Sequence, residues 1–440
     1  MTSRANWGSK LGFILATSGS AVGLGAIWKF PYVAGKNGGG VFLLVYLACV
    51  LTIGISMVLA EMSIGHMAKK SATTAYRNLK GGLWPWAGRL SVLCIFVLLS
   101  FYCVVGGWSF AYLWLSLTGE VMTQDTKALS DLFNGFIASP SQSIFYTGLF
   151  LIATVGIVMG GVQKGIERTS KVLMPALFIL MLIIIARVLT LPNAMDGVMY
   201  FITPDFSKIN AAMMIEAVGL AMFSLSVGCG ILIAYGSYVD EKTKLPGATL
   251  WISLLATLAC VMAGLMVLPA VFAFGIDPSA GPGLTFITMP AIFSQMPFGQ
   301  FFAVMFFLLL IFAAITSSVS LLEPIVAFLI DEFNVQRQKA TLMTCVAVFA
   351  LSIPAALSFG VLADFHIFGK NPFDLMDYAA SNVMMPAGGL LAALFAGWAI
   401  WPRVQASLIA QDAARILPAF RFICAVVAPI VICVIWAHNL

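Results

Sequence analysis

Val22-Gly23-Leu24-Gly25 and Val227-Gly228-Cys229-Gly230 sit inside two hydrophobic segments in opposite halves of this 440-residue chain. Both interrupt stretches otherwise long enough to cross a bilayer as helix. Glycine costs about 1 kcal/mol in a helix interior relative to alanine, so two within three positions mark a local unwinding. In lipid, freed backbone N–H and C=O groups are tolerated only where protein, ions or solute satisfy them. A pair of Gly-interrupted segments in corresponding places of two halves points to the central binding site of a secondary transporter.

The chain is 61% hydrophobic and 9% charged, with mean hydropathy +1.01, values no soluble domain of this size carries. Eleven apolar runs lie near 11–35, 41–66, 88–118, 143–161, 169–190, 211–237, 248–274, 299–331, 340–360, 374–401 and 417–437. Their lengths are those of transmembrane helices. They predict an all-α integral membrane protein with one transporter domain over 1–440. The N-terminal stretch to Lys10 is too short and too polar for a cleaved signal peptide.

Most of the 23 Lys and Arg residues, among them Arg4, Lys10, Lys69, Lys70, Arg77, Lys164, Arg168 and Arg337, fall on one side when the N-terminus is cytoplasmic. The net charge of +5 therefore reads as a topology signal and not as a nucleic-acid footprint, and eleven spans place Leu440 outside. The eight cysteines lie in or beside apolar runs, which argues against a disulfide framework. The connection from about Gly119 to Gln142 lacks Cys and any Asn-X-Ser/Thr acceptor, which suits a bacterial inner membrane. His66, His366 and His438 have no metal-site spacing, and Gly35-Lys36-Asn37-Gly38-Gly39-Gly40 lacks the P-loop order. With no Ser/His/Asp set or cofactor motif at bilayer depth, an enzyme is not expected.

The two interrupted segments, one and six, lie about 205 residues apart. That spacing predicts a five-plus-five inverted repeat, about 11–190 and 211–401, with an extra helix at about 417–437. Opposed half-helix ends would then meet at the bilayer midplane, N-termini favouring anionic groups and C-terminal carbonyls favouring cations. Hydroxyls cluster on segment six (Ser224, Ser226) and segment eight (Thr316, Ser317, Ser318). Neutral oxygens of this kind suit a hard monovalent cation such as Na⁺. The same hydroxyls also serve helix packing or back-bond to their own helix, so residue type alone leaves both roles open.

The stretch Leu11-Gly12-Phe13-Ile14-Leu15-Ala16, Gly19-Ser20-Ala21-Val22-Gly23-Leu24-Gly25, Trp28-Lys29-Phe30-Pro31 and Asn37-Gly38-Gly39-Gly40 resembles the signature of the neurotransmitter:sodium symporter family. The likeness continues, in the family's order, through Lys164-Gly165-Ile166-Glu167-Arg168, Met289-Pro290-Ala291-Ile292-Phe293-Ser294-Gln295 and Ala313-Ala314-Ile315-Thr316-Ser317-Ser318. It implies a LeuT-like fold working by alternating access. It also implies a sodium site at Gly19, Val22, Ala313, Thr316 and Ser317, the family's second. The first sodium site departs from the pattern. Ala26 and about Ala256 stand where the family has amide or carboxylate oxygens, leaving Ser224. At the family's chloride position Tyr46 is kept, but Leu220 and about Cys260 replace its partners. One sodium and no chloride is the resulting expectation.

The resemblance implies a substrate site at Ser20, Ala21, Gly23, Gly25, Leu98, Tyr102, Phe223, Ser224, Ser226, Cys229, Ser317 and Leu321. Gly23 stands where monoamine carriers have an Asp, so the site is expected to leave room for a substrate carboxylate, with Tyr102 donating to it. Lys29 and Asp377 match the outer gate beneath which Phe223 forms a lid, and Arg4, Trp7 and Asp331 match the inner latch. Glu61 matches a buried carboxylate holding the unwound backbone of segments one and six. Glu323, before Pro324, is a second charge within a span, with no partner assigned. The expected function is sodium-coupled import of a small zwitterionic amino acid or similar solute. The alternatives are a proton-coupled or sodium-independent carrier of an amine or other small solute, and a non-transporting membrane sensor.

Overall fold

A computed structural model describes residues 5–275 and 284–439. All eleven apolar runs are helical there. In order they are Lys10–Ala21 with Gly25–Lys36, Gly40–Ala68, Pro85–Thr118, Pro140–Met159, Val162–Val188, Ala211–Ser224 with Ile231–Gly236, Leu245–Ala273, Gly299–Phe333, Arg337–Ala356, Pro372–Ala399 and Ala414–His438. Among the described residues there is no strand, only the isolated bridges Gly39↔Pro204 and Ile367↔Lys370. The eight cysteines are all free.

Local chemistry sets the helix ends. Ser9 caps the first helix, its hydroxyl accepting from the Gly12 N–H at 3.0 Å. Pro85, Pro140 and Pro372 stand in first turns, where the missing N–H costs nothing. Gly119, with φ +83°, ends segment three in the left-handed region. Segment five starts at Val162, earlier than hydropathy predicts, because its first turns carry Gln163, Lys164, Glu167 and Arg168. That polar start has work elsewhere: the Glu167 carboxylate accepts from Gly8 N–H at 2.6 Å and the Ser9 hydroxyl at 2.8 Å, anchoring the entry to segment one. Among the described residues, five α-helices too short or too polar to read as spans cover the connections: Ala72–Leu79, Thr126–Ala138, Ala194–Ile202, Met289–Ser294 and Trp401–Ile409.

Segment eight runs through the centre, 78% buried over its most apolar window, whereas segment eleven, at 28%, lies at the periphery. Both interrupted segments are broken as expected. Segment one bends by 53°. The gap in segment six begins at Leu225, three residues before the first glycine, and Ser226 (φ +56°), Gly228 (φ +94°) and Gly230 (φ +74°) take left-handed backbone. Gly23 and Gly25 do not. Their need is close approach: a Cβ on Gly23 would stand 2.3 Å from Ser317 Oγ, and one on Gly25 would stand 2.3 Å from the Phe223 ring.

The Trp7 end of the bundle is tightly closed. The Trp7 indole N–H donates to the Tyr235 carbonyl at 3.1 Å and its ring packs edge-on against Tyr235 and Tyr238. Asp331 accepts from Ser71 N–H at 2.6 Å and Lys70 Nζ at 3.2 Å. Arg4, expected in the same latch, lies outside the described residues. Glu323 finds its partner nearby: fully buried, it pairs with both guanidinium nitrogens of Arg337, Nη1 at 3.0 Å, and accepts from the Tyr238 hydroxyl at 2.7 Å. Arg337 also donates to the Val158 carbonyl, so the pair ties segments four, six, eight and nine together.

Removing one member of a buried pair leaves an uncompensated charge, at a cost of about 3–5 kcal/mol. Arg337→Met should therefore lower thermal stability sharply in detergent. Glu323→Gln in the Arg337→Met background should recover more than half of that loss, and melting curves of the two variants check both.

Candidate functional site

Between the two breaks lies a cavity of about 330 Å³, within the range of small-molecule sites. Its floor is the broken backbone. The helical ladder of segment one ends with Val22 N–H donating to the Ser18 carbonyl at 2.8 Å. The next carbonyls must find donors elsewhere. Ser317 Oγ supplies one, 3.1 Å from the Gly19 oxygen and 3.2 Å from that of Ser20. Ser226 Oγ supplies another, to Ser20 O at 3.1 Å, while Ser20 Oγ donates to Ser226 Oγ at 3.1 Å. Segments one, six and eight are stitched together by hydroxyls at the one depth where their backbones are incomplete.

Four of the residues expected in the sodium site, Gly19, Ala313, Thr316 and Ser317, are thereby brought together. Gly19 packs on Thr316, whose Cβ would lie 3.1 Å from a Cβ at Gly19, and Thr316 Oγ1 donates to the Ala313 carbonyl at 3.0 Å. Val22 is fully buried at the break. Carbonyl and hydroxyl oxygens of this set are neutral and hard, a donor chemistry that fits a monovalent cation such as Na⁺. Ser318 of the hydroxyl trio points away, to Thr154 of segment four at 2.7 Å, and serves packing.

Ala26 and Ala256, at the other expected cation position, are fully buried and bring no side-chain oxygen. Ser224, the remaining hydroxyl, is engaged with Tyr46 at 2.8 Å and the Ala221 carbonyl at 3.1 Å. The Tyr46 hydroxyl reaches the Cys260 thiol at 3.3 Å, with Leu220 buried.

All twelve positions expected in the substrate site line this one cavity: Ser20, Ala21, Gly23, Gly25, Leu98, Tyr102, Phe223, Ser224, Ser226, Cys229, Ser317 and Leu321. Two details add to the expectation. The Ser317 and Tyr102 hydroxyls stand beside Gly23, where an added Cβ would lie 2.3 Å from Ser317 Oγ and 3.1 Å from the Tyr102 oxygen. Tyr102 also accepts from Leu24 N–H at 3.4 Å, which holds its hydroxyl against the break. The sequence reading missed Phe101, Val105 and Ile231, which add apolar wall. The helical spacing of Leu98, Phe101, Tyr102 and Val105 on one face was the signal that could have found the first two.

Lys29, Asp374, Asp377 and Phe373 line the mouth, opposite the Trp7 end. Lys29 Nζ sits 5.0 Å over the Phe223 ring, and Asp377 accepts from Ser381 at 2.7 Å. Among the described residues no ion pair joins Lys29 to Asp377, so the expected outer pair is apart while the Trp7 end is closed. Glu61 accepts from Gly228 N–H at 2.6 Å, holding the break of segment six. Among the described residues it makes no hydrogen bond to segment one, and its second oxygen is buried without a partner. The reason is chemical: segment one's carbonyls are acceptors, which need donors or a cation and not a carboxylate.

The profile of the Sodium:neurotransmitter symporter family matches residues 4–134 and 144–440. An uncharacterized sodium-dependent transporter of Bacillus subtilis, YhdH, is 40% identical over 390 residues, covering 88% of this chain and 86% of the relative. A Haemophilus influenzae protein, likewise described as an uncharacterized sodium-dependent transporter, is 35% identical over 450 residues, with 99% and 98% covered. The crystal structure of MhsT in complex with L-phenylalanine is 42% identical and superposes with a TM-score of 0.91 over 100% of both chains. Helices, breaks and sequence agree, and the chain belongs to the sodium:neurotransmitter symporter family of integral membrane transporters.

Proposed function

We propose that this protein is a symporter that couples one sodium ion, without chloride, to import of a neutral amino acid. The observation that carries the reading is Ser317, whose hydroxyl joins the free carbonyls of segment one and also faces the cavity. A cation held by Gly19, Val22, Ala313, Thr316 and Ser317 would supply positive charge where those carbonyls converge, fixing the break of segment one. Tyr102 and the half-helix amides then receive the substrate carboxylate. The Leu98, Val105, Ile231 and Leu321 side chains suit an apolar substrate side chain, and MhsT was crystallised with L-phenylalanine. Among the described residues no acidic side chain lines the floor of the cavity to receive an amine, which favours a zwitterion; Asp374 and Asp377 belong to its mouth.

Charge balance supports the single ion. Ala26 and Ala256 remove the oxygens of a second cation site, and Leu220 and Cys260 remove the partners of an anion, so both members of a compensating pair are lost together. One ion suffices energetically. A charge crossing ~100 mV yields about 2.3 kcal/mol and a tenfold sodium gradient about 1.4, together enough for accumulation on the order of several hundredfold. With the N-terminus cytoplasmic, the mouth faces outward, and the cycle opens the Trp7 end as Lys29 and Asp377 close over Phe223.

Thr316→Val and Ser317→Ala should each abolish sodium-dependent thermal stabilisation while leaving a folded protein, as read by melting in sodium and in choline. Unchanged sodium affinity in both variants would falsify the assigned site. Tyr102→Phe removes one hydrogen bond to a charged group, worth about 1.5–3 kcal/mol, so amino-acid affinity should fall roughly 10- to 150-fold with sodium affinity in the absence of substrate kept. Uptake into proteoliposomes should be equal in chloride and gluconate, and a chloride requirement would refute the charge-balance reading.

A further inference from the structure

At the mouth-side end of segments three and four, the helix Thr126–Ala138 roofs a second, open cavity of about 830 Å³. Its walls are aromatic: Trp114, Phe136, Phe145 and Tyr146. The Phe145 and Tyr146 rings meet edge-on at 5.2 Å, and Phe136 meets Tyr146 at 5.8 Å. Trp114 is 58% and Phe145 63% exposed, so these two rings are uncovered, while Phe136 is buried. Among the described residues, the charged lining consists of two carboxylates, Glu120 and Asp131, with no Lys or Arg. Neither carboxylate is in an ion pair among the described residues, although Lys127 stands four positions before Asp131 on the same helix. Among the described residues, Glu120 accepts from the Thr118 hydroxyl alone, at 3.0 Å.

Aromatic faces with carboxylates and no cation recognise an ammonium group, through the ring quadrupole and charge-assisted hydrogen bonds together. The position selects its source. The groove sits where segment three ends at Thr118 and segment four begins at Pro140, the depth at which Trp and Tyr line the boundary between hydrocarbon and water. An ammonium group held there, beside exposed apolar flanks, belongs to a lipid. We propose that this groove binds the headgroup of a phospholipid carrying a primary ammonium, with Glu120 and Asp131 as its anionic partners. The site is separate from the central cavity and shares no lining residue with it.

The test is native mass spectrometry of the purified full-length protein with phosphatidylethanolamine, phosphatidylglycerol or free ethanolamine. Phosphatidylethanolamine should be retained in preference to phosphatidylglycerol. The double variant Glu120→Gln/Asp131→Asn should lose about tenfold in phosphatidylethanolamine affinity with phosphatidylglycerol binding unchanged. Phe145→Leu, which keeps apolar area but removes a ring, should weaken the same lipid selectively. Equal retention of both lipids by the native protein overturns the proposal and needs no variant to fold. Undiminished phosphatidylethanolamine binding in the double variant also overturns it, as does displacement by free ethanolamine at lipid-equivalent concentration, which would make the occupant a soluble amine.

Discussion

The structure depends on one constraint: a helix broken in the middle of a membrane leaves carbonyl oxygens that water cannot satisfy. In segment one those oxygens belong to Gly19 and Ser20, and they are met by hydroxyls of Ser317 and Ser226. In segment six the free group is an amide, that of Gly228, and it is met by the Glu61 carboxylate. The division follows from chemistry. Carbonyls need donors or cations, amides need acceptors, and each break recruits the side chain that fits. Because the same hydroxyls face the cavity, holding the fold and forming the binding floor are one task.

Charge is placed sparingly around that floor. The oxygens near Ser317 are neutral, and the nearby positions Ala26, Ala256, Leu220 and Cys260 bring no formal charge. The strongest electrostatic groups stand at the two ends instead. At the Trp7 end, Glu323, Arg337 and Tyr238 form a closed buried network, with Asp331 and Trp7 beside it. At the mouth, Lys29, Asp374 and Asp377 stand apart around Phe223. One end is fastened while Lys29 and Asp377 stand apart at the other, so the two faces of the molecule are asymmetric.

Much of this was legible in the residues. Eleven apolar runs gave the spans, since nothing but lipid burial accounts for runs of that length, and Gly-X-Gly pairs located both breaks. The positions aligned by family likeness converge on one cavity. Other readings failed for identifiable reasons. Hydropathy could not see that segment five begins at Val162, because its first turns are polar in order to hold Gly8 and Ser9. It was blind to Thr126–Ala138, a helix that crosses no membrane. The glycines of segment one promised unusual backbone and supply close approach, a distinction that resides in the neighbours Ser317 and Phe223.

By itself, then, the sequence determined span number, the places of interruption and the neutral chemistry of the central oxygens, because these follow from local periodicity, glycine content and residue type. Only the tertiary structure decided which hydroxyl meets which carbonyl, that Ser318 packs on Thr154 instead of joining its neighbours, that Glu61 reaches segment six alone, and that Glu323 pairs with Arg337. These are contacts between helices distant in sequence. Helix rotation and depth fix them, and no local pattern encodes either.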